Sequence, residues 1–424
     1  MATPISPRRA GTILGVLATA NLVAYAARNG LFAVYPDLRD AFGFKDAKLG
    51  LLATAFILPH ALATLPFGWA GDRYDRRRVI ALGMLLASVA GAAGALATNT
   101  TTLVLSRIVV GLGTAAVVPV ANSILGQIYD GPRKASRMAI FNLGLLFGGI
   151  VGFVVGSQVG FPVVVVALAI PGAIVAIIVA MLPVPEHPGL PDAGMSFSQD
   201  LGGFFESARI LIRIRALRWL LVSTTAMAFA AGGYNAWLID FLERDKAMSH
   251  TAAVNLLATV VIGAVAGIIT GGRLADRLRT RVPTGRLWVI AIGMMCALPC
   301  VIACLELAPG PPLYVAGIAN LFFMSWYHAP MAVSVDDLAP PAHAVAAQGL
   351  VIATMHLLGT APSSWVLGVI SDHYSLYTAM WVPTAFIAIA ALAMVLATRT
   401  FAAEARGARA VRGANGGGEP LASL

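Results

Sequence analysis

The sequence predicts an all-α membrane protein, with twelve transmembrane helices in two pseudo-symmetric six-helix bundles. Three observations carry that prediction. Of 424 residues, 58% are hydrophobic and only 12% charged, whereas soluble domains carry about 25% charged residues. The basic residues are unevenly placed about the apolar runs. One short cationic hinge is also written twice, half a chain apart.

Apolar runs of about 20 residues recur, each long enough to cross a ~30 Å hydrocarbon layer as a helix. Helices satisfy their own backbone hydrogen bonds, as lipid demands. A β-barrel would need alternating segments of ~10 residues, and Leu82 to Leu96 does not alternate. Spans are predicted over 11–35, 47–70, 79–97, 101–127, 136–158, 162–183, 218–240, 250–273, 286–306, 313–334, 343–370 and 377–398. The first run is too long for a cleaved signal peptide, and no small-residue cleavage site leads from it into a soluble domain.

Net charge is +9 and the isoelectric point about 9.8. A basic balance can signal nucleic acid, but here the charges follow membrane topology. With the N-terminus inside, 22 of the 29 Lys and Arg fall in cytoplasmic segments, 5 in external loops and 2 within spans. The opposite orientation would invert that bias. The expectation is a multi-pass monomer in the lipid bilayer, both termini cytoplasmic, with no nucleic-acid partner. Compact loops and few Lys among many Arg point to a bacterial inner membrane.

The hinge is Gly68-Trp69-Ala70-Gly71-Asp72-Arg73-Tyr74-Asp75-Arg76-Arg77-Arg78, and then Gly272-Arg273-Leu274-Ala275-Asp276-Arg277-Leu278-Arg279-Thr280-Arg281. Each follows the second span of its half. The chain therefore divides into an N-terminal six-helix bundle (1–183), a cytoplasmic linker (184–217), a C-terminal six-helix bundle (218–400) and a tail (401–424). The linker is Pro-rich at its start and carries an amphipathic stretch from Phe204 to Arg215, read either as an interfacial helix or as a plain linker helix. The Ala, Gly and Arg-rich tail is expected to be disordered. Parallel repeats of this kind are one solution to alternating access. Gly144, Gly148, Gly149, Gly152, Gly156, Gly263 and Gly267 allow close helix contact, whether sliding or static.

The hinge resembles the signature of the major facilitator superfamily, G-x-x-x-D-R-x-G-R-R, through Gly68, Asp72, Arg73, Arg76 and Arg77, with Asp75 at the usual second Gly. A narrower resemblance, to the Spinster-like branch, rests on Pro36-Asp37-Leu38 through Gly43, Gly50 to Phe56, Ser106 to Gly113, Trp237 to Arg244 and Gly368 to Asp372. That resemblance implies the major facilitator fold and export of lysolipids or sphingoid phosphates, proton-coupled in some members. Two positions depart from it. Ala27-Arg28 stands where the first span usually reads Asp-Arg, and Gly111-Leu112-Gly113-Thr114 where the fourth usually reads Gly-x-Gly-Glu. Both acids implied in proton handling are missing and both arginines remain.

Arg28 and Arg107 are the basic residues placed deep in spans, where a charge is expensive unless it faces water or a partner. Asn21, Tyr25 and Arg28 share one helix face. Arg107, Thr114 and Asn122 recur near multiples of a turn. Together they predict a positive, hydrogen-bonding wall. A guanidinium matches a carboxylate or phosphate bidentately, although Arg28 could instead snorkel to an interface. The opposite wall is expected from Tyr234, Asn235, Asn320, Trp326 and His356. Trp237 and Tyr327 read more simply as interface anchors. His60 and His356 are the possible proton carriers. Gly68, Asp72, Arg73, Arg76, Arg77, Asp276 and Arg277 are expected to gate, the aspartates at helix ends and the arginines bridging the cytoplasmic side.

Cys296, Cys300 and Cys304 share a helix face and read as small packing residues rather than a soft-metal site. No Gly-rich Lys loop, metal motif or soluble catalytic domain appears, so neither an enzyme nor a cofactor is expected. The expected function is secondary transport of a small organic anion or an amphipathic anionic lipid by rocker-switch alternating access, by facilitated diffusion, exchange or coupling through a His. One alternative is a proton-coupled multidrug exporter, for which Asp240 is the nearby acid. Another is a transport-dead sensor or scaffold.

Overall fold

The computed structural model describes residues 6–129, 133–185, 197–340 and 343–415, and no strand occurs among them. The helices are α1 (Pro7–Asn29), α2 (Tyr35–Phe42), α3 (Asp46–Arg73), α4 (Arg76–Ala93), α5 (Thr100–Thr114), α6 (Val117–Ile128), α7 (Arg133–Val159), α8 (Val163–Ala180), α9 (Phe197–Leu211), α10 (Arg215–Arg244), α11 (His250–Arg281), α12 (Gly285–Glu306), α13 (Pro311–Met324), α14 (His328–Leu338), α15 (Ala344–Thr354), α16 (Ala361–His373) and α17 (Leu376–Asn415).

Among the described residues, ten helical stretches are long and apolar enough to span a membrane. The predicted seventh and tenth spans fall on α10 and on the broken pair α13–α14. Several spans are not single rods. The fourth breaks between α5 and α6, where Ala116 N bonds back only three residues, to Gly113 O. The tenth tightens at Ser325–Tyr327, and the eleventh passes through a wide turn at Met355–Thr360.

The tail does not behave as composition suggested. α17 continues through residues 401–415, and only 416–424 lie outside the described residues. Phe401 and Ala405 are buried. The Glu404 carboxylate accepts from the N–H groups of Arg215 and Ala216 at 3.1 and 2.8 Å. It thereby caps the start of α10, and that pairing holds the extra turns in place.

The chain packs as two compact units. The first comprises Met1–Phe197, Gly232–Leu257 and Thr360–Ala379. Inside it α1 lies tightly on α7. A Cβ on Gly148 would come within 2.3 Å of Leu22 O, and one on Gly152 within 2.4 Å of Ala26 O. Only glycine permits that approach. Asn21 donates to Phe141 O at 3.0 Å across the same seam. Ile13, Leu17, Ile80, Ile124, Phe141 and their neighbours form a buried hydrophobic cluster among these helices. α3 and α16 meet equally closely, since a Cβ on Gly50 would lie 2.2 Å from Ser364 O.

The second unit comprises Ser198–Ala231, Ala258–Gly359 and Met380–Leu424. Gly263 and Gly267 on α11 back onto the carbonyls of Ile318 and Phe322 on α13. Phe229 stacks on Phe386 with centroids 4.0 Å apart. Within the predicted linker, α9 docks through buried Ala208 and Leu211 and through a 3.0 Å contact between Ser207 and His343. Its Phe205 and Ile210 point outward.

Candidate functional site

The first unit holds the two guanidinium groups singled out above. Arg107, on α5, is 3% exposed. It donates from Nη2 to Ala27 O at 3.1 Å and lies over the Phe56 ring, 5.5 Å from its centroid. Its Nε is buried with no acceptor. Arg28, at the end of α1, is half-buried against Tyr25, 5.9 Å from the ring centroid, and its Nε also lacks an acceptor. Neither makes an ion pair among the described residues. A carbonyl and a ring face compensate a guanidinium less fully than a carboxylate would.

Thr114 lies two turns along α5 from Arg107. Its hydroxyl bonds to Val110 O at 2.9 Å, which leaves it to accept from His60 Nδ1 at 3.1 Å. His60 stacks on Phe56, 5.7 Å between centroids. One continuous strip therefore runs Arg107, Phe56, His60, Thr114. Asn21 is turned away toward α7, so the predicted Asn21–Tyr25–Arg28 face does not act as one wall. Asn122 is half-buried on α6.

From the second half of the sequence, Asn235 joins this unit by donating to Asn29 Oδ1 at 3.1 Å. Tyr234 beside it is half-buried. Trp237 is fully buried, donates to Ser364 O at 3.0 Å and packs on Tyr35 at 5.2 Å. It is a core residue and not the interface anchor expected from its type. Asn320, Trp326 and His356 lie in the second unit. Asn320 Oδ1 and Trp326 Nε1 are buried there without partners. Trp326 packs with Phe322, Phe323, Ala275 and Val289. His356 sits on the wide turn.

The two hinges differ. The first breaks at Tyr74, and Asp75 caps α4 by accepting from Arg77 N at 3.0 Å. The unusual Asp75 thus replaces a glycine turn with a helix cap, in an ordinary backbone conformation (φ −60°). Arg77 grips Asp75 at 2.8 Å and holds its carboxyl below the usual carboxylate range. Arg76 is buried, bonding to Gln127 Oε1 at 2.5 Å and Pro185 O at 2.7 Å. Arg73 covers the Trp69 ring at 4.6 Å. A Cβ placed on Gly68 would meet Pro119 at an ordinary 3.8 Å, so no close approach requires glycine there. The Asp72 side chain lies outside the described residues.

In the second hinge α11 runs on unbroken to Arg281, so Asp276 and Arg277 are exposed mid-helix residues. Asp276 therefore caps no helix but faces the start of α12. It meets Arg286 at 3.7 Å, and Arg286 makes its better pair with Asp337 at 3.0 Å.

The most developed polar constellation escaped the sequence reading. Arg39 pairs with Asp240 at 2.5 Å and with Asp46 at 2.8 Å. Arg244 pairs with Asp46 at 2.8 Å and with Asp240 at 3.2 Å. Ser371 donates to Asp46 at 2.6 Å. The Asp372 carboxylate accepts from the N–H groups of Asp46 and Ala47 at 2.8 and 3.0 Å, capping α3 from a distant part of the chain. Asp240 is 2% exposed. Two of the stretches that carry the Spinster resemblance, Trp237 to Arg244 and Gly368 to Asp372, end on these residues, and that was the available signal.

All described metal-capable side chains are too scattered to form a cluster of three. The arrangement can hold an anion at an unneutralised guanidinium. It can also lock four helix segments together by ion pairs and caps.

This chain belongs to the Major Facilitator Superfamily, whose family model matches residues 17–284 and again 220–424. It is a multi-pass integral membrane protein of a family of transporters, and it is similar to the Spinster-type members. It is 27% identical to protein spinster homolog 3 of Danio rerio over 404 residues, covering 88% of this chain and 79% of that one. It is 25% identical to a sphingosine-1-phosphate transporter of Mus musculus, covering 84% and 69%. Its fold is similar to that of a bacterial homolog of the human lysosomal transporter Spinster, with a TM-score of 0.82 at 22% identity over 94% of this chain and 99% of that one.

Proposed function

We propose that this protein is a secondary transporter that moves a small organic anion or an amphipathic anionic lipid by alternating access between six-helix bundles 1–183 and 218–400. The observation that carries the reading is Arg107. It is buried, meets a carbonyl and a ring face, and makes no ion pair with a carboxylate among the described residues. An anionic substrate group supplies the missing charge. Similarity to a sphingosine-1-phosphate transporter supports an amphipathic anion. Arg28 and Thr114 extend the same wall.

The cluster of Arg39, Asp46, Asp240 and Arg244 supports a state sealed on its own side. With both termini in the cytoplasm of a bacterial cell, that side is external. The multidrug alternative needs a free membrane acid, and Asp240 is already held by two arginines. Ala27 and Thr114 occupy the positions of the usual proton-handling acids. Transport is therefore facilitated diffusion, exchange, or coupling through His60 or His356.

The test is anion flux into liposomes containing the purified monomer. Arg107→Ala abolishes flux at unchanged expression, and an imposed proton gradient changes wild-type flux little. Normal flux in Arg107→Ala removes the guanidinium from the site. Concentrative uptake driven by external acid, unaffected by changing both histidines, contradicts the coupling reading. No flux of any anion, with partner binding retained, favours the sensor.

A further inference from the structure

Inside the first unit, α1, α4, α5 and α8 surround a small slot-like cavity. Its four walls belong to the N-terminal half alone. Residue size explains it. On α1 and α4, buried Ile13, Leu17 and Ile80 give way to Ala27, Ala87 and Gly91. From α8 come Ala169 and Gly172, which are no larger. The space open to a water is about 30 Å³, enough for about two waters. An organic carboxylate or phosphate ester is too large for it.

Only Ser88, Arg107 and Thr114 bring polar side chains to the wall. The Thr114 hydroxyl is already committed to Val110 O and to His60. Ser88 is buried on α4. Arg107 is the group left unsatisfied. It is 3% exposed, reaches Ala27 O through Nη2, and keeps a buried Nε with no acceptor.

Two needs therefore meet in one place: a full positive charge with a donor to spare, and a space the size of one monatomic anion. Water supplies a dipole but no charge, so it leaves a buried guanidinium without a counter-charge. A halide supplies a whole charge, accepts from N–H and O–H alike and imposes no bond direction. It also tolerates C–H walls. Burying an ion is costly unless it is paired, and chloride sheds its water more readily than fluoride or a compact oxyanion.

We propose that a single chloride ion occupies the cavity between α1, α4, α5 and α8 as the counter-ion of Arg107, with the Ser88 hydroxyl as second donor. This rests on the anion reading of Arg107 given above and adds to it a resident inorganic ion. A transported anion that engages the same guanidinium then competes with chloride for its charge.

The test is equilibrium binding of radiolabelled chloride to the full-length protein in nanodiscs, with gluconate holding the ionic strength constant. Wild type binds one chloride per chain saturably, and bromide displaces it. Arg107→Gln lowers the affinity at least tenfold. Gly91→Ala tests the cavity with the guanidinium intact. A Cβ there would meet Ala169, Val110 and Val165 O at 3.8, 3.8 and 3.9 Å. These are ordinary contacts with residues that line the cavity, so the methyl takes up the space the ion needs, and affinity again falls at least tenfold. Unfolding of Gly91→Ala in gluconate at or above the wild-type temperature certifies the fold, because it replaces a helical glycine. Chloride raises the unfolding temperature of wild type and leaves that of both variants unmoved. No saturable chloride binding in wild type, with anion flux still lost in Arg107→Ala, overturns the chloride site and leaves the anion reading intact. Chloride affinity unchanged in Arg107→Gln or in Gly91→Ala overturns the site likewise. Normal anion flux in Arg107→Ala overturns the anion reading, and loss of chloride binding in Arg107→Gln then still supports the ion at this cavity.

Discussion

Under the alternating access proposed above, replacing Asp240 with Asn should unlock the side that carries the Arg39–Asp46–Asp240–Arg244 cluster. Asp240 is 2% exposed and takes two hydrogen bonds from Arg39, at 2.7 and 2.5 Å, and one from Arg244 at 3.2 Å. Breaking a fully buried ion pair costs about 3–5 kcal/mol because a charge is stranded. Here the arginine side chains are 22% and 42% exposed and keep Asp46 as a second partner, so about 2–3 kcal/mol is the fitting range. If the cluster forms only when that side is sealed, the loss falls on the sealed state alone. At 1.4 kcal/mol per tenfold, the opening equilibrium shifts by about 30- to 150-fold. Thr54 reports on it: two turns into α3, its hydroxyl donates to Ala361 O at 2.6 Å across the α3–α16 seam. With Cys296, Cys300 and Cys304 changed to Ser, Thr54→Cys should react slowly with an impermeant maleimide. Adding Asp240→Asn should raise the rate at least tenfold. An unchanged rate with a lowered unfolding temperature would refute the reasoning, since the cluster would then stabilise both states alike.

Three further perturbations follow from the packing. Asp75→Ala removes the cap of α4 and should cost about 1 kcal/mol, read as a lower unfolding temperature, while Asp75→Asn keeps most of it. Because Arg77 depresses the Asp75 carboxyl, its stabilisation is present above the ordinary Asp value near 3.9 and is lost as pH falls through the lower folded value. Wild type should therefore lose nothing from this site between pH 7 and pH 5, and a loss in that window that Asp75→Asn removes would contradict the assignment. Gly148→Ala sets a methyl 2.3 Å from Leu22 O and should reduce folded yield in detergent far more than Gly15→Ala, which meets nothing within 4 Å. Glu404→Ala leaves two N–H groups at the start of α10 uncapped and should cost about 1 kcal/mol, with faster hydrogen exchange at Arg215 and Ala216.

Much of the fold was legible because lipid imposes a one-dimensional constraint. A span must be long, apolar and helical whatever it packs on, so α3, α4, α8 and α12 fall within a few residues of their predicted ranges. Arg107 was legible as a charge placed within a span for the same reason, and the structure buries it there against a carbonyl and a ring face. Asn21, on the same predicted face as Arg28, was misread because three-and-four spacing defines a face without saying which neighbour it meets. Trp237 was misread because a Trp near a span end has two physical uses, and the sequence does not say which face carbonyl Ser364 O approaches. The tail was misread because composition cannot register that Glu404 would find the open end of α10.

Membership in a twelve-span transporter fold, the broad course of the chain, and the absence of acids at Ala27 and Thr114 are properties of the linear sequence, since each depends on residue type and local order alone. Partnership is different. That Arg39, Asp46, Asp240 and Arg244 neutralise one another, that Arg107 is left without a carboxylate, and that small residues on four helices face each other across a slot were decided by tertiary structure. Electrostatic and packing energies depend on distances of a few ångströms between residues far apart in the chain, and helix packing alone sets those distances.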